Sequence, residues 1–217
     1  MKISSAPTTE ENGLQRTQEW YAARAGKVTA SPVLKVYKRL KNGNFSAERE
    51  RYKFQLIAER LVGTTISSRQ SAAMMRGVEK EAEARDRYQR QTNLAVTEAP
   101  FVPHPTIGMA GASPDGFVGD DGLVEIKCPQ SQTAVEVLLT EKVDEEHDAQ
   151  IQWQLACTGR QWCDYVVYDD RLPESMQLFV KRIERDDQLI KLVEKEVREF
   201  IAEISADIER LWSKYPN

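Results

Sequence analysis

Two short stretches, Ser113-Pro114-Asp115-Gly116 and Leu123-Val124-Glu125-Ile126-Lys127-Cys128-Pro129, predict a β-hairpin that carries charged side chains. The second stretch alternates apolar and charged residues, and a strand projects residues i and i+2 from the same face. Glu125 and Lys127 should therefore lie together, with Val124 and Ile126 on the opposite face. Between the two stretches, Gly119-Asp120-Asp121-Gly122 is typical of a hairpin turn, which would bring Asp115 to the same place.

Two carboxylates and one ammonium at a single place suit metal-dependent cleavage of a phosphodiester. Mg²⁺ takes oxygen ligands and usually keeps waters and a substrate phosphate in its shell, so Asp115 and Glu125 are a sufficient protein contribution. The metal would polarise the phosphate and lower the pKa of a bound water, and Lys127 would orient or deprotonate that water. The residues alone also fit a bland interpretation, because Pro-Asp-Gly is an ordinary turn and Glu-x-Lys is common on solvated strands.

Length and composition predict one domain over residues 1–217, with residues 1–14 as a flexible N-terminal segment. Hydrophobic residues make up 41% of the chain and charged residues 29%, a balance typical of soluble globular proteins. No apolar run approaches the roughly 20 residues that cross a bilayer, and the N-terminus does not resemble a secretory signal. Cys128, Cys157 and Cys163 lack paired metal-ligand spacing, so we expect reduced core thiols in a cytoplasmic protein without membrane contacts.

The charge pattern leaves nucleic-acid binding open. A net charge of −4 does not indicate a nucleic-acid-binding protein. A local basic surface on an acidic protein can nevertheless bind a phosphate backbone. A solvated helix face explains the same charges equally well. Only two histidines are present, His104 and His147, which argues against imidazole catalysis or a histidine metal site. The basic residues concentrate at Lys35, Lys38, Arg39, Lys41, Arg49, Arg51, Lys53 and Arg60.

Hydrophobic periodicity and turn residues predict an α/β (α+β) fold with a long C-terminal helix. The early strands should form an antiparallel meander, and the last two should complete a central mixed sheet. Helices are expected over 15–24, from the Thr29-to-Pro32 cap to about 41, over 46–62, 71–92, 132–139 and 144–158, and strands over 94–98, 107–112, 116–118, 123–128, 163–168 and 177–183.

Several apolar sets are expected to be buried. The C-terminal set recurs at helical spacing, which predicts one long amphipathic helix packed along its own domain. Helix 46–62 should bury Phe54, Leu56, Ile57 and Leu61, and Met74-Met75 should fill core space. The C-terminal set is Leu189, Val193, Val197, Phe200, Ile204, Ile208 and Leu211.

Five blocks of the chain, in order and in register, resemble the family of lambda exonuclease and the YqaJ-type viral recombinase nucleases. Five matching blocks are far more specific than the hairpin alone. The blocks are Arg24–Ser31, Gly77–Glu81, Gly111–Gly116, Leu123–Pro129 and Ala149–Trp153.

The resemblance implies a restriction-endonuclease-like core, in which a mixed sheet is flanked by helices. It also implies a Mg²⁺-dependent exonuclease, with Mn²⁺ as a possible substitute, that degrades one strand of double-stranded DNA from its 5′ end. Such an enzyme releases mononucleotides and leaves a 3′ overhang. Members form ring-shaped homotrimers around DNA and work with a single-strand annealing protein in phage-type recombination, so a phage or prophage protein in the bacterial host cytoplasm is expected.

The resemblance also assigns roles to individual residues. Asp115 and Glu125 would ligate metal, helped by the backbone carbonyl of Ile126, and Lys127 would position the attacking water. Arg24 and Ser31 match the family's terminal-phosphate positions, and Ser113 would contribute a further hydroxyl near the site. A cap serine at a helix N-terminus would add amide donors and a favourable dipole. The remaining assignments are Glu81 to the metal shell through water, Gln150 to the orientation of the lysine or nucleophile, and Arg24, Ser31 and Ser113 to the 5′-phosphate.

Two alternatives remain beside this hypothesis. A site- or structure-specific endonuclease could use the same fold, although a terminal-phosphate pocket at Arg24 and Ser31 would serve only at DNA ends. A non-catalytic DNA-end-binding scaffold could use the carboxylates to hold a structural ion.

Overall fold

A computed structural model of the protein describes residues 15–66 and 72–216. The expected flexibility of residues 1–14 therefore lies outside the described residues. In chain order the α-helices are α1 (Gln18–Arg24), α2 (Val33–Tyr37), α3 (Ala47–Val62), α4 (Ala72–Thr92), α5 (Ser131–Thr140), α6 (Glu145–Thr158) and α7 (Asp187–Lys214), and the strands are β1 (Val96–Thr97), β2 (Val102–Pro103), β3 (Gly111–Ala112), β4 (Gly116–Val118), β5 (Gly122–Lys127), β6 (Trp162–Tyr168) and β7 (Leu178–Glu184).

The central sheet has five strands in the order β1-β4-β5-β6-β7. Strands β4 and β5 form the predicted antiparallel hairpin, whereas β5 and β6 run parallel. Parallel neighbours need a long crossover, which α5 and α6 provide. These features confirm the predicted α/β fold, a mixed sheet flanked by helices with a long C-terminal helix.

The expected antiparallel meander is wrong in one strand. Residues 107–110 form a turn, closed by a hydrogen bond from the N–H of Ala110 to the carbonyl of Ile107 (3.2 Å), so that strand shortens to β3. Strand β3 pairs with β2 in a separate two-stranded sheet and does not join β4. Gly111 allows this pairing because a Cβ there would lie 2.3 Å from the Phe101 ring.

Helix α2 also ends earlier than expected. It stops at Tyr37 because Lys38 has an extended backbone, and Arg39 then bridges Phe45 across the predicted turn. The residues expected to continue the helix to about Lys41 therefore form a small β-like loop.

The core lies on both faces of the sheet and confirms the side-chain alternation of β5. Val124 and Ile126 pack with Tyr88 of α4 on one face. Leu123 packs on the other face, together with Trp153 of α6 and Phe200 of α7. Glu125 and Lys127 share the parity of Leu123, so they belong to the α6 side of the sheet.

Part of the expected burial in α3 and α4 is wrong. Leu56 and Ile57 are buried as predicted, but Phe54 and Leu61 are 60% and 43% exposed. A helix turns by about 100° per residue, so Phe54 lies on the opposite side from Leu56. Met75 is 48% exposed and does not fill core space, and the side chain of Met74 lies outside the described part of the chain.

Helix α7 confirms the predicted amphipathic pattern. Its buried residues pack against α2, α3 and α6, so the helix covers its own fold as expected. No helix within residues 15–66 and 72–216 combines the length and the apolar character needed to span a bilayer. The buried residues of α7 are Ile190, Val193, Val197, Phe200 and Ile204.

His104 connects the β2–β3 region to α7, and its environment should make the stability of the fold sensitive to acid. Its ring stacks on Trp153 with centroids 5.0 Å apart, and its Nε2 lies 3.3 Å from Oε1 of Glu194. Burial lowers the pKa of His104 below its ordinary value, although Glu194 opposes this effect. As the pH falls, His104 therefore gains its proton more readily in the unfolded chain than in the folded chain. The free energy of unfolding decreases as a result.

We expect His104→Gln to reduce this loss of stability. The measurement is the free energy of unfolding in urea at pH 8 and pH 5 for both proteins. An equal pH dependence in both would contradict the assignment of the effect to His104.

Candidate active site

Asp115 lies immediately before β4 and is fixed against β5 by a backbone hydrogen bond. Its Oδ2 accepts from the N–H of Ile126 at 2.7 Å. The last regular pair of the hairpin is Gly116 opposite Val124, so Asp115 is next to Glu125 in register. The hairpin thus brings together the two carboxylates that the sequence predicted.

Glu125 is the centre of the site and is 2% exposed. Its Oε1 accepts from Nζ of Lys127 and from Nε2 of Gln150, each at 2.6 Å. Its Oε2 accepts from Nε2 of Gln154 at 2.6 Å. Lys127 also donates to Oε1 of Gln150 at 3.1 Å, which closes a triangle of hydrogen bonds. Buried charges require such partners.

Gln154 is a site residue that sequence reasoning missed. Gln150 and Gln154 are four residues apart on α6, and that spacing aligns them on one helix face. Both amides consequently reach the same carboxylate of Glu125. The i,i+4 glutamine pair was the available signal.

Electrostatics in the cluster decide the protonation of Lys127. Burial lowers its pKa, but the charges of Glu125 and Asp115 outweigh burial, so the pKa of Lys127 lies above its ordinary value. A protonated ammonium has no lone pair to accept a proton. In the metal-free site Lys127 is therefore a hydrogen-bond donor, and its two predicted roles toward the water stay predictions.

Asp115 is under the opposite influence. Burial raises the pKa of Asp115 well above its ordinary range, and the nearby charges of Glu125 and Glu81 raise it further. Lys127 and the Ile126 N–H offset only part of this effect. In the metal-free site Asp115 therefore keeps its proton to a higher pH than an exposed aspartate does.

Glu81 extends from α4 and is held by two arginines. Its Oε1 lies 3.0 Å from NH2 of Arg85, and its Oε2 lies 2.7 Å from NH2 of Arg16. Arg85 also bonds Glu98 at 2.6 Å. Sequence reasoning missed both arginines, although Arg85 follows Glu81 by four residues on the same helix.

The donor set fits a hard divalent cation. Asp115 and Glu125 offer carboxylate oxygens, and a cation would offset the burial and the carboxylate repulsion that raise the pKa of Asp115. Within residues 15–66 and 72–216, no three His, Cys, Asp or Glu side chains come close enough to form a metal cluster. The predicted contributions of Glu81 and of the Ile126 carbonyl stay predictions.

A groove of about 1410 Å³ runs along α1 and is lined by Arg24 and Ser31, two of the three predicted phosphate-binding residues. NH1 of Arg24 donates to Oγ of Ser113 at 2.9 Å, and Nε1 of Trp20 donates to the same oxygen at 3.0 Å. The Arg24 guanidinium lies 4.1 Å from the centre of the Trp20 ring. Ser31 is exposed and lines the same groove.

The end of α1 is arranged so that Arg24 faces this groove. Gly26 has a left-handed backbone (φ 66°), and its N–H donates to Oε2 of the buried Glu59 at 2.9 Å. A Cβ at Gly26 would lie 2.5 Å from Cγ of Arg60. Burial lowers the pKa of Arg24, which is consistent with a guanidinium that has lost much of its hydration.

The expected helix cap at Ser31 is wrong. Pro32 is the N-cap of α2, and no side chain caps that helix. Because α2 has only five residues, its dipole is small. Ser31 can offer its hydroxyl to a ligand in the groove, but not the helix-end donors that were expected.

Ion pairs account for much of the basic segment. Four of its eight basic side chains contact acidic residues of α6 or α7, while Lys35 and Arg51 line the groove. These four are therefore held by ion pairs, which neither the phosphate-binding nor the solvated-face interpretation predicted. The pairs are Lys38 with Glu145, Arg39 with Glu196, Arg49 with Glu203 and Lys53 with Asp207.

The family model of the YqaJ-like viral recombinase domain matches residues 19–161. The chain belongs to this family. All five blocks that carried the resemblance lie inside the matched range, so the resemblance is confirmed.

Solved structures agree with the family assignment. The crystal structure of LHK-Exo, an alkaline exonuclease from Laribacter hongkongensis, is 52% identical, with a TM-score of 0.85 over 91% of this chain and 97% of that one. The complex of LHK-Exo with dAMP gives 53% identity and a TM-score of 0.86 over the same shares. A phage-related exonuclease from Haemophilus somnus 129PT shares the fold at 14% identity and a TM-score of 0.66, over 85% and 96%. A search of curated protein sequences gave no match.

Proposed function

We propose that this YqaJ-family protein is a metal-dependent exonuclease that degrades one strand of linear double-stranded DNA from its 5′ end. It releases mononucleotides and leaves a 3′ overhang. The nuclease class follows from family membership and from 52% identity to an alkaline exonuclease. The observation that carries the proposal is Ser113, which bonds Arg24 in the groove and lies two residues from Asp115.

The residues of the site fall into two sets, those that would bind the metal and those that orient the reacting groups. Asp115 and Glu125 would hold Mg²⁺, or Mn²⁺ as a substitute, with the Ile126 carbonyl and Glu81 as further donors. A bound ion of this kind polarises the phosphate and lowers the pKa of water.

The other residues of the cluster orient the reacting groups. Lys127 keeps its proton, donates to the attacking water and offsets charge that develops on the phosphate. Gln150 fixes Lys127 at 3.1 Å, and Gln154 fixes Glu125 at 2.6 Å. Both amides are neutral, so they orient these groups without adding charge.

Arg24, Ser31 and Ser113 recognise the 5′-terminal phosphate. The planar guanidinium of Arg24 can bind two phosphate oxygens at once, and the hydroxyls add further hydrogen bonds. A terminal phosphate carries more charge than an internal linkage, which favours binding at DNA ends.

We infer a single domain over residues 1–217 that assembles as a homotrimeric ring around DNA, beside a single-strand annealing protein. Phage or prophage recombination in the bacterial host cytoplasm is the corresponding role. The family's description as viral recombinases supports this role.

Digestion of a linear, 5′-phosphorylated duplex with Mg²⁺ or with EDTA tests the function. Mononucleotides only with metal, and no cleavage of a closed circular duplex, support the exonuclease. Discrete internal fragments would indicate the endonuclease alternative. Binding without any product would indicate the end-binding scaffold.

Arg24→Ala is expected to reduce the preference for 5′-phosphorylated over 5′-hydroxyl ends. A charge contact with little solvent contributes about 2 to 5 kcal/mol when one partner is removed. The measurement is the ratio of kcat/KM on the two substrates. Arg198→Ala is the matched control, because Arg198 pairs with Glu194 on α7 and lies outside the groove. Equal rates on both ends in the unmutated protein would remove the pocket assignment.

A further inference from the structure

Arg16 has an unusual backbone for an arginine, with a φ of 69°. Non-glycine residues avoid this left-handed region because the Cβ is crowded. Asn93 and Glu141 share a positive φ, but each follows a helix C-terminus, where the conformation is common. Arg16 precedes α1, so helix termination does not explain its conformation.

The neighbours of Arg16 hold it in this conformation. Nε2 of Gln15 donates to the carbonyls of Pro114 at 2.7 Å and Ala99 at 3.2 Å. On the other side, Oγ1 of Thr17 accepts from the N–H of Trp20 at 3.2 Å and caps α1. Arg16 is thus fixed between two anchored residues, which is how strained conformations persist.

The ion pair between Arg16 and Glu81 does not account for the strain. The Arg16 side chain is 40% exposed, and such pairs contribute little to stability. Glu81 already has Arg85 as a partner on its own helix. A second arginine in a costly conformation therefore suggests a use other than stability.

The position of Arg16 suggests what that use is. Arg16 lines the large groove together with Arg24 and Ser31. It also lines a smaller pocket of about 160 Å³ together with Glu81 and Asp115. Its guanidinium stands where the groove for DNA meets the carboxylate cluster.

We propose that Arg16 exchanges Glu81 for a backbone phosphate of the DNA strand that enters the carboxylate site. This inference rests on the proposed function. The guanidinium fork matches phosphate oxygens as well as it matches a carboxylate. Arg85 keeps Oε1 of Glu81 paired, while Oε2 of Glu81 is released. DNA binding thereby changes the state of a carboxylate at the active site.

Fluorescence anisotropy with a 5′-phosphorylated duplex in EDTA tests this contact without cleavage. Arg16→Gly is the main variant, since glycine accepts the left-handed backbone and the fold should persist. We expect binding to weaken about tenfold, the scale of one charged hydrogen bond. The slope of log affinity against log salt should fall by about 0.9, the value for one lost phosphate contact. Arg16→Lys should recover part of the affinity.

Arg198→Gln serves as the control and should bind DNA like the unmutated protein. Unmutated affinity and salt slope in Arg16→Gly would overturn the inference, and Arg16 would then only hold Glu81. Failure of the unmutated protein to bind the duplex would overturn the proposed function itself, so the two failures are distinguishable.

Discussion

Lys127→Ala is expected to lower kcat on the order of 10³-fold, while the affinity for DNA ends changes little. The ammonium of Lys127 lies 2.6 Å from Oε1 of Glu125. Burial lowers the pKa of Lys127, but the charges of Glu125 and Asp115 raise it above its ordinary value. Under the proposed function, its loss would remove both the group that orients the water and the charge that offsets the transition state. Single-turnover digestion of a 5′-phosphorylated duplex measures the effect.

Two further variants separate catalysis from folding. Removing one partner of a buried ion pair costs about 3 to 5 kcal/mol, so Lys127→Ala should also be less stable. Lys127→Gln retains a donor to Glu125 and should fold better while staying slow. Lys195→Ala removes a 73% exposed lysine on α7 and should behave like the unmutated protein. Normal turnover in Lys127→Gln would show that the ammonium is not required.

Asp115→Asn is expected to abolish turnover nearly completely and to stabilise the protein at neutral pH without metal. The amide oxygen can still accept from the Ile126 N–H, but it no longer offers a charged ligand. Because the folded-state pKa of Asp115 is raised by burial and then by Glu125 and Glu81, its contribution to stability is present at low pH and is lost as pH rises. Asparagine removes that loss.

The gain in unfolding free energy from Asp115→Asn should depend on pH. In EDTA, the stability advantage of Asp115→Asn should grow between pH 4 and pH 8 in urea unfolding. Asp120→Asn, in the exposed hairpin turn, is the matched control. Normal turnover in Asp115→Asn would mean that the active site lies elsewhere.

The hairpin could be predicted from local patterns, because the residues that determine it are close together in the sequence. The alternation of β5 and the Gly-Asp-Asp-Gly turn fix which side chains share a face. The position of Gln150 beside them came only from the resemblance. Helix periodicity alone cannot tell which sheet residue a helix will meet. Gln154 was within reach, since it shares the helix face of Gln150.

Other features depend on contacts that no local pattern encodes. Arg16 and Glu81 are 65 residues apart in sequence, and their pairing depends on tertiary contacts such as the hydrogen bond from Gln15 to the Pro114 carbonyl. The apolar character of Phe54 and Leu61 predicted burial, yet the packing of α3 against α2 and α7 selected the opposite face. The separate β2–β3 sheet likewise required knowledge of the Phe101 ring beneath Gly111.

Ser113 and Asp115 are two residues apart in the segment between β3 and β4. Two extended residues span at most about 7 Å, which limits the distance between the proposed anchor for the chain end and the proposed metal-binding carboxylate. Under the proposed function this distance sets the length of DNA strand between the bound 5′ end and the cleaved bond. It is of the same order as the backbone of one nucleotide. Lengthening the turn by a residue should then change the size of the excised product before it changes the rate.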